Sequence, residues 1–401
     1  MHPPYSKAKK IIALCCLLYF TSYITRLNYA AALSEIILSM GITKSMASLA
    51  VTGSFFTYAL GQLISGPLGD HMPPEKCIFA GIVATSVTNL IVATTGNITI
   101  MTFLWCLNGF FQAMLWPPLV RIMAENLSEK DFQIASIRVN AAAAVGTIVV
   151  YLLVPICIQL GGWRLAFIIP GIFGLAIGSI WYHFSRLLIH GKIIEKQIIR
   201  NISKQPLRLI FISGSIPILW AIMLQGTLKD GLTTWMPSYI NDIYHLGTAV
   251  SILTTAILPL FSIFSISLAS TLNDHVKDEL ITSVILFIPA IVSIGILRIF
   301  FSDNAVLSIA LMTIITGCMH GINLLLVCRL PAYFEKYGCV STVSGIFNTF
   351  TYIGSALATF GIAAISENFG WHITILSWGL IALTGLICCI LSRKKWYVFS
   401  R

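Results

Sequence analysis

Long apolar runs broken by short polar stretches fill the chain from end to end. Runs such as "IIALCCLLYFTSYI" and "ITSVILFIPAIVSIGIL" lack the two-residue alternation of a lipid-facing barrel strand. At 1.5 Å per residue, runs of about 20 residues cross a hydrocarbon core of about 30 Å as helices. The pattern predicts twelve spans, near 11–34, 46–69, 77–95, 99–121, 135–160, 163–185, 209–239, 246–271, 279–300, 305–328, 340–366 and 371–392. The run at 209–239 is longer than a bilayer needs, which leaves a tilted span or one that begins at the surface. The first run follows "MHPPYSKAKK" and resembles a secretory signal, with Ala30 to Ala32 as a cleavage site, but it is too long for one and more spans follow. It reads as an uncleaved first span. The fold class predicted is all-α integral membrane, with the lipid bilayer as a partner.

Composition strengthens this reading. Of 401 residues, 57% are hydrophobic and 10% charged, where an average soluble domain has about 25% charged residues. With a mean hydropathy of +0.87, there is too little charge to coat a water-soluble globule. A net charge of +10 would suggest nucleic acid in a soluble protein. Here the cations concentrate in loops, and no nucleic-acid partner is expected. With the N-terminus placed inside, 20 of the 25 cations fall on the inner side and three, Lys44, Arg164 and Arg298, on the outer. That bias predicts a multi-pass protein of the cell (plasma or inner) membrane with both termini cytoplasmic. The stretch 186–208 carries six cations and divides the chain. It is expected to be a cytoplasmic linker, either an amphipathic helix on the inner leaflet or a solvated loop, between bundles at 1–185 and 209–401. Ten scattered cysteines form no CxxC or Cys/His cluster, so they read as buried thiols, and neither metal nor cofactor is expected. Asn97-Ile-Thr99 fits a glycosylation acceptor on the outer side.

The halves repeat. "SGPLGDHMPPEK" matches "ASTLNDHVKDEL", with Asp70 and Asp274 standing 204 residues apart. "LGGWRLAF" matches "ENFGWHIT", with Trp163 and Trp371 208 apart. Arg26 and Lys229, the two cations left over from the inner and outer sets, lie within predicted spans and are 203 apart. Two pseudo-symmetric halves of six helices follow, and in transporters built this way substrate sites lie near the midplane between repeats. A cation in hydrocarbon costs about 2.5–3.5 kcal/mol on insertion scales. Arg26 and Lys229 facing a hydrated cavity would form an anion site. The other reading is that Arg26 snorkels towards Ser34 and Glu35 while Asp230 neutralises Lys229. Tyr19, Tyr23 and Arg26 fall on one helical face, as anion partners or as packing residues. Gln62, Asn108, Gln112, Trp116, Asn140, His320, Asn323, Asn348 and Tyr352 are further polar or aromatic positions within spans. Any one of them bridges helices or meets a ligand, and His320 could carry a proton. Asp70, at the inner end of span two, can bond helix termini and hold one closed state, with Asp274 as its counterpart in the gate.

These residues resemble the organophosphate/phosphate antiporter family of the major facilitator superfamily, which includes glycerol-3-phosphate and hexose-phosphate transporters. "YITRLNYAAA" is similar to the family's first-helix motif, and "NGFFQAMLWPPLVRIM" to its Gly-x-Phe-Gln-x-x-x-Trp-Pro-Pro element. "LKDGLTTWMPSYI" is similar to its helix-seven segment, and "VSGIFNTFTYIGSALA" with "NFGW" to helix eleven and its exit. The resemblance implies the major facilitator fold. It also implies that Arg26 and Lys229 grip a phosphate-like anion in a cavity lined by Tyr19, Tyr23, Trp116 and Tyr352. The sequence departs from known bacterial members in carrying Lys229 where arginine is usual. It also has Gln62 in place of a basic residue and Ala143 in place of a histidine that some members carry. The function expected is a secondary active transporter, working as a monomer, that exchanges an organic phosphate for phosphate by rocker-switch alternating access. A proton-driven carboxylate carrier is the alternative, and a membrane anion sensor is a third class. No nucleophile–base pair, metal cluster or phosphate-cradling loop suggests an enzyme.

Overall fold

The computed structural model describes residues 5–42, 44–189, 206–246 and 257–400. Most of the predicted linker at 186–208, and the first part of the span predicted at 246–271, therefore lie outside the described residues. The rest is almost wholly helical: α1 (Tyr5–Met40), α2 (Lys44–His71), α3 (Pro74–Thr94), α4 (Ile98–Gln112), α5 (Trp116–Asn126), α6 (Glu129–Gly161) and α7 (Leu165–Leu188) come first. There follow α8 (Pro206–Ile212), α9 (Ser215–Tyr244), α10 (Ile257–Val276), α11 (Glu279–Ile299) and α12 (Ala305–Asn323). The last runs on through a π-helical turn, Leu324–Arg329, and a 3-10 segment, Leu330–Tyr337, before α13 (Val340–Ser400).

Among the described residues nine helices, with their continuations, are long and apolar enough to cross a bilayer, or ten if α8 and α9 form one span bent by 94°. That bend, at left-handed Gly214 (φ 73°, ψ 20°), accounts for the excess length predicted at 209–239. Joining α4 to α5 and α8 to α9, and dividing α13 at Gly370, gives the twelve-helix layout. Side chains such as Leu160, Leu187, Ile299, Val306, Leu391 and Val398 are exposed, while Asn28, Asn89, Asn108 and Gln112 are buried. Apolar outside and polar inside is the arrangement a lipid solvent selects.

Local chemistry sets the helix ends, and it repeats. Asn97, the sequon asparagine, caps α4 through Oδ1 by accepting from Thr99 N at 2.9 Å and Ile100 N at 3.2 Å. Asn304 caps α12 in the same way through Val306 N at 2.8 Å and Leu307 N at 3.2 Å. The Gly-Trp pairs also share a backbone: Gly162 adopts φ 73°, ψ −179° and Gly370 φ 74°, ψ 171°. That region is essentially open to glycine alone, so each pair marks an enforced break before a final helix.

The chain packs as two compact units. One holds α1–α7 together with Pro331–Thr349, and the other holds α8–α12 and the remainder of α13. In the first, α1 packs on α6 and α7, and α2 on α4. The α2–α4 approach depends on Gly109, where an added Cβ would lie 2.2 Å from the Ser54 carbonyl oxygen. Gly109→Ala is expected to cost about 1–3 kcal/mol by overpacking, seen as a lowered unfolding temperature in detergent; an unchanged temperature would contradict this packing.

Candidate functional site

In the first unit, Arg26 is half-buried on α1. Its guanidinium carbon lies 4.0 Å from the Tyr58 ring centroid and 5.7 Å from that of Phe55, both on α2. A stacked guanidinium is held by its face, while its N–H donors lie in its plane, the edge by which it grips carboxylates and phosphates. One and two turns back along α1, Tyr23 and Tyr19 meet edge-to-face at 5.3 Å, and Tyr19 packs at 4.8 Å on Trp116. The structure thus brings Tyr19, Tyr23 and Trp116 together along the two turns of α1 that precede Arg26. Trp116 is buried, and its indole N–H has no partner among the described residues. An unmet buried donor costs about 1–3 kcal/mol.

Carboxamides fix α1 in place. Asn28 Nδ2 donates to Asn89 Oδ1 at 2.7 Å and to the Ala166 carbonyl at 2.9 Å. Asn89 Nδ2 donates to the Thr25 carbonyl at 3.0 Å, and Asn108 Nδ2 to the same oxygen at 3.3 Å. Gln112 Nε2 donates to the Ser22 carbonyl at 3.1 Å and to Thr25 Oγ1 at 2.9 Å. Helices α3, α4 and α7 therefore converge on the turn that carries Arg26. Gln112, a candidate ligand group from the sequence, is one of these ties, and Gln62 Nε2 likewise reaches the Ala113 carbonyl at 3.4 Å. Asn140 bonds its own helix through the Ser136 carbonyl at 2.8 Å, and Asn348 is buried in this unit.

In the second unit, Lys229 Nζ lies 3.5 Å from Asp230 Oδ1. The hydroxyl of Ser355, on α13, donates to Asp230 Oδ2. His320 is half-buried on α12 and Tyr352 on α13, and Asn323 Oδ1 is buried without a partner among the described residues. Gln225 Nε2 donates to the Met319 carbonyl at 2.8 Å, tying α9 to α12. Gln225 stands 203 residues beyond Ser22, the Arg26–Lys229 spacing. The same pair of helices is thus tied in each half, with the donor on the opposite partner.

Asp70 is buried and accepts from Ser341 N at 2.9 Å and Thr342 N at 2.7 Å, at the N-terminus of α13. Buried Arg121 secures the end of α2 by donating to the carbonyls of Gly69, of Asp70 at 3.1 Å and of Met72 at 3.2 Å, and to Glu125 Oε1 at 2.9 Å. In the second unit Asp274 is exposed, and the neighbouring Asn273 is the buried residue. With its oxygen towards Arg329, the Asn273 carboxamide accepts from Nη1 at 3.3 Å and donates to Thr282 Oγ1 at 2.9 Å. Arg329 Nη2 also donates to Ser270 Oγ at 2.5 Å. The repeat therefore runs at 203 through this turn rather than at the 204 suggested by the Asp-His pairs, and one residue of slip turns a helical side chain by about 100°.

The profile described as the Major Facilitator Superfamily matches residues 15–359. The chain belongs to the Major Facilitator Superfamily. A "Probable hexose phosphate transport protein" of Chlamydia muridarum is 22% identical over 91% of this chain and 87% of its own. The "Membrane sensor protein UhpC" of Salmonella typhimurium is 26% identical over 40% of this chain and 37% of its own. The solved structure of the proton:xylose symporter XylE superposes with a TM-score of 0.77 over 95% of both chains at 12% identity, which speaks for the fold. This superfamily member is a multi-pass integral membrane transporter of small molecules, not an enzyme.

Several residues around these sites escaped the sequence reading. Phe55 and Tyr58 are aromatic positions in span two that were not singled out, although Tyr58 stands four residues before Gln62, on the same face. Asn28 and Asn89 are single amides in apolar runs, and Ser355 is one serine among many. Arg121 and Arg329 counted as loop cations yet are buried in protein, against carbonyls and polar side chains rather than lipid.

Proposed function

We propose that this transporter carries an organic anion, an organic phosphate exchanged for phosphate, by rocker-switch alternating access, as a monomer in the cell membrane with both termini cytoplasmic. The bundles at 1–185 and 209–401 would rock, and Arg26 and Lys229 are the basic substrate-site candidates, one in each. The observation that carries the reading is in the first unit: a guanidinium in a membrane span lies over the Tyr58 ring, on the helix whose Tyr19 packs against Trp116, a buried indole whose N–H has no acceptor among the described residues. Tyr19, Tyr23, Tyr352, Gln112, Asn348 and His320 are the further substrate-site candidates, with Gln112 acting through the position of α1. The relatives named for hexose phosphate transport support a phosphorylated substrate. Asp70 is proposed as a gating residue that holds the start of α13 in one state and releases it in the other. Asp274, exposed at the end of α10, is the gating candidate of the second unit.

The reading is tested by thermal unfolding of the purified protein with phosphate, sugar phosphates, glycerol phosphate and dicarboxylates. A ligand that binds only the folded form stabilises it by RT ln(1 + [L]/Kd), about 2.7 kcal/mol at 100 times Kd. Phosphate and at least one organic phosphate are expected to raise the unfolding temperature, and a response to dicarboxylates alone would favour the carboxylate carrier.

A further inference from the structure

Lys229 and Asp230 are adjacent on α9, and adjacent helical side chains diverge by about 100° and do not face each other. Their 3.5 Å approach therefore calls for an anchor. The anchor is Ser355, whose hydroxyl donates to Asp230 Oδ2 and leaves Oδ1 towards the ammonium. Its position is fixed by backbone contact. An added Cβ at Gly354 would lie 1.9 Å from the Met223 carbonyl oxygen, and one at Gly226 2.4 Å from that of Thr351. Thr227 Oγ1 also donates to the Gly354 carbonyl at 3.1 Å. The segment bearing Ser355 is thus locked against α9 at the level of Lys229. Within the pair the carboxylate is the more open member, with 36% of its side chain exposed against 14% for Lys229. Asp230 is thus the more accessible of the two charges.

We infer that Asp230 is a resident counter-anion and a specificity-determining residue: it occupies Lys229 between transport events, and a substrate must displace it. This inference rests on the reading of Lys229 as part of the anion site and deepens it. An internal carboxylate competes at a high effective concentration. A monocarboxylate offers Lys229 the same charge that Asp230 already supplies and gains little by exchange. A phosphate dianion brings a second charge and further acceptor oxygens, so it wins the exchange. The site therefore selects doubly charged phosphates over monocarboxylates. It also releases them readily, because Asp230 returns as they leave.

The test is titration of the purified full-length protein with inorganic phosphate and, separately, with lactate, in the wild type and in Asp230→Asn, Ser355→Ala, Lys229→Ala and the double variant Asp230→Asn/Lys229→Ala. Asp230→Asn is expected to bind phosphate at least about tenfold more tightly and to acquire measurable lactate binding. Ser355→Ala, which loosens the anchor and keeps the charge, shifts both in the same direction by less. The double variant shows no gain. Unchanged or weaker phosphate binding in both Asp230→Asn and Ser355→Ala, with binding lost in Lys229→Ala, overturns the counter-anion role and leaves the anion site standing. Wild-type phosphate affinity in Lys229→Ala overturns the site reading itself, and the inference with it.

Discussion

Replacing Arg26 by alanine is expected to lower the initial rate of phosphate-dependent uptake by about 100-fold, with the amount of inserted protein unchanged. Removing one partner from a desolvated, hydrogen-bonded charge pair costs about 2–5 kcal/mol, and 3 kcal/mol is a little over a factor of 100. The loss should fall on transport rather than folding. Holding a guanidinium in a span is itself unfavourable by about 2.5–3.5 kcal/mol, and α1 keeps its ties through Asn28, Thr25 and Ser22 when Arg26 is replaced. Arg26→Lys keeps the charge but loses the planar fork, so it should retain partial uptake with a raised KM. Uptake rates and membrane-protein abundance measured on the same vesicles separate the two effects, and full uptake in Arg26→Ala would remove Arg26 from the substrate site.

The second large effect is expected at Asp70. Its carboxylate accepts two backbone N–H groups at the start of α13, and hydrogen bonds to a charged group contribute about 1.5–3 kcal/mol each. Asp70→Ala removes both and should shift the balance between transport states by about 3 kcal/mol, slowing transport by one to two orders of magnitude. Asp70→Asn keeps one acceptor oxygen and should fall between. Cys339, buried immediately before α13, reports the change directly: its reaction with a maleimide should be faster in Asp70→Ala than in the wild type. Equal labelling rates would mean that Asp70 does not hold this segment. The close contact of Gly345 with α2, where a Cβ would lie 2.4 Å from the Gln62 carbonyl oxygen, predicts the same labelling change for Gly345→Ala.

The helices were legible because lipid rewards unbroken apolar runs, and the Gly-Trp breaks because one backbone conformation admits only glycine. Helix α2 and the first part of α13 are less apolar, since glycines such as Gly66 and Gly345 are used for close packing. At the candidate site, Arg26, Tyr19, Tyr23 and Trp116 could be picked out as costly or clustered residues. The choice of partners could not be read. Whether Gln112 meets a ligand or the Ser22 carbonyl depends on the rotation of two helices, and a rotation of one residue separates buried Asn273 from exposed Asp274. The buried arginines Arg121 and Arg329 were hidden by a similar ambiguity, because a cation near a helix end looks alike in sequence whether it faces water or a cluster of carbonyls.

Proteoliposomes containing only the purified protein, loaded with unlabelled phosphate and given radiolabelled hexose phosphate outside, test the central claim most directly. With no pH gradient or membrane potential imposed, label is expected to enter in proportion to internal phosphate and to be lost when Arg26 or Lys229 is replaced by alanine. Entry that ignores internal phosphate, or that appears only under an imposed pH gradient, would contradict exchange at a shared anion site.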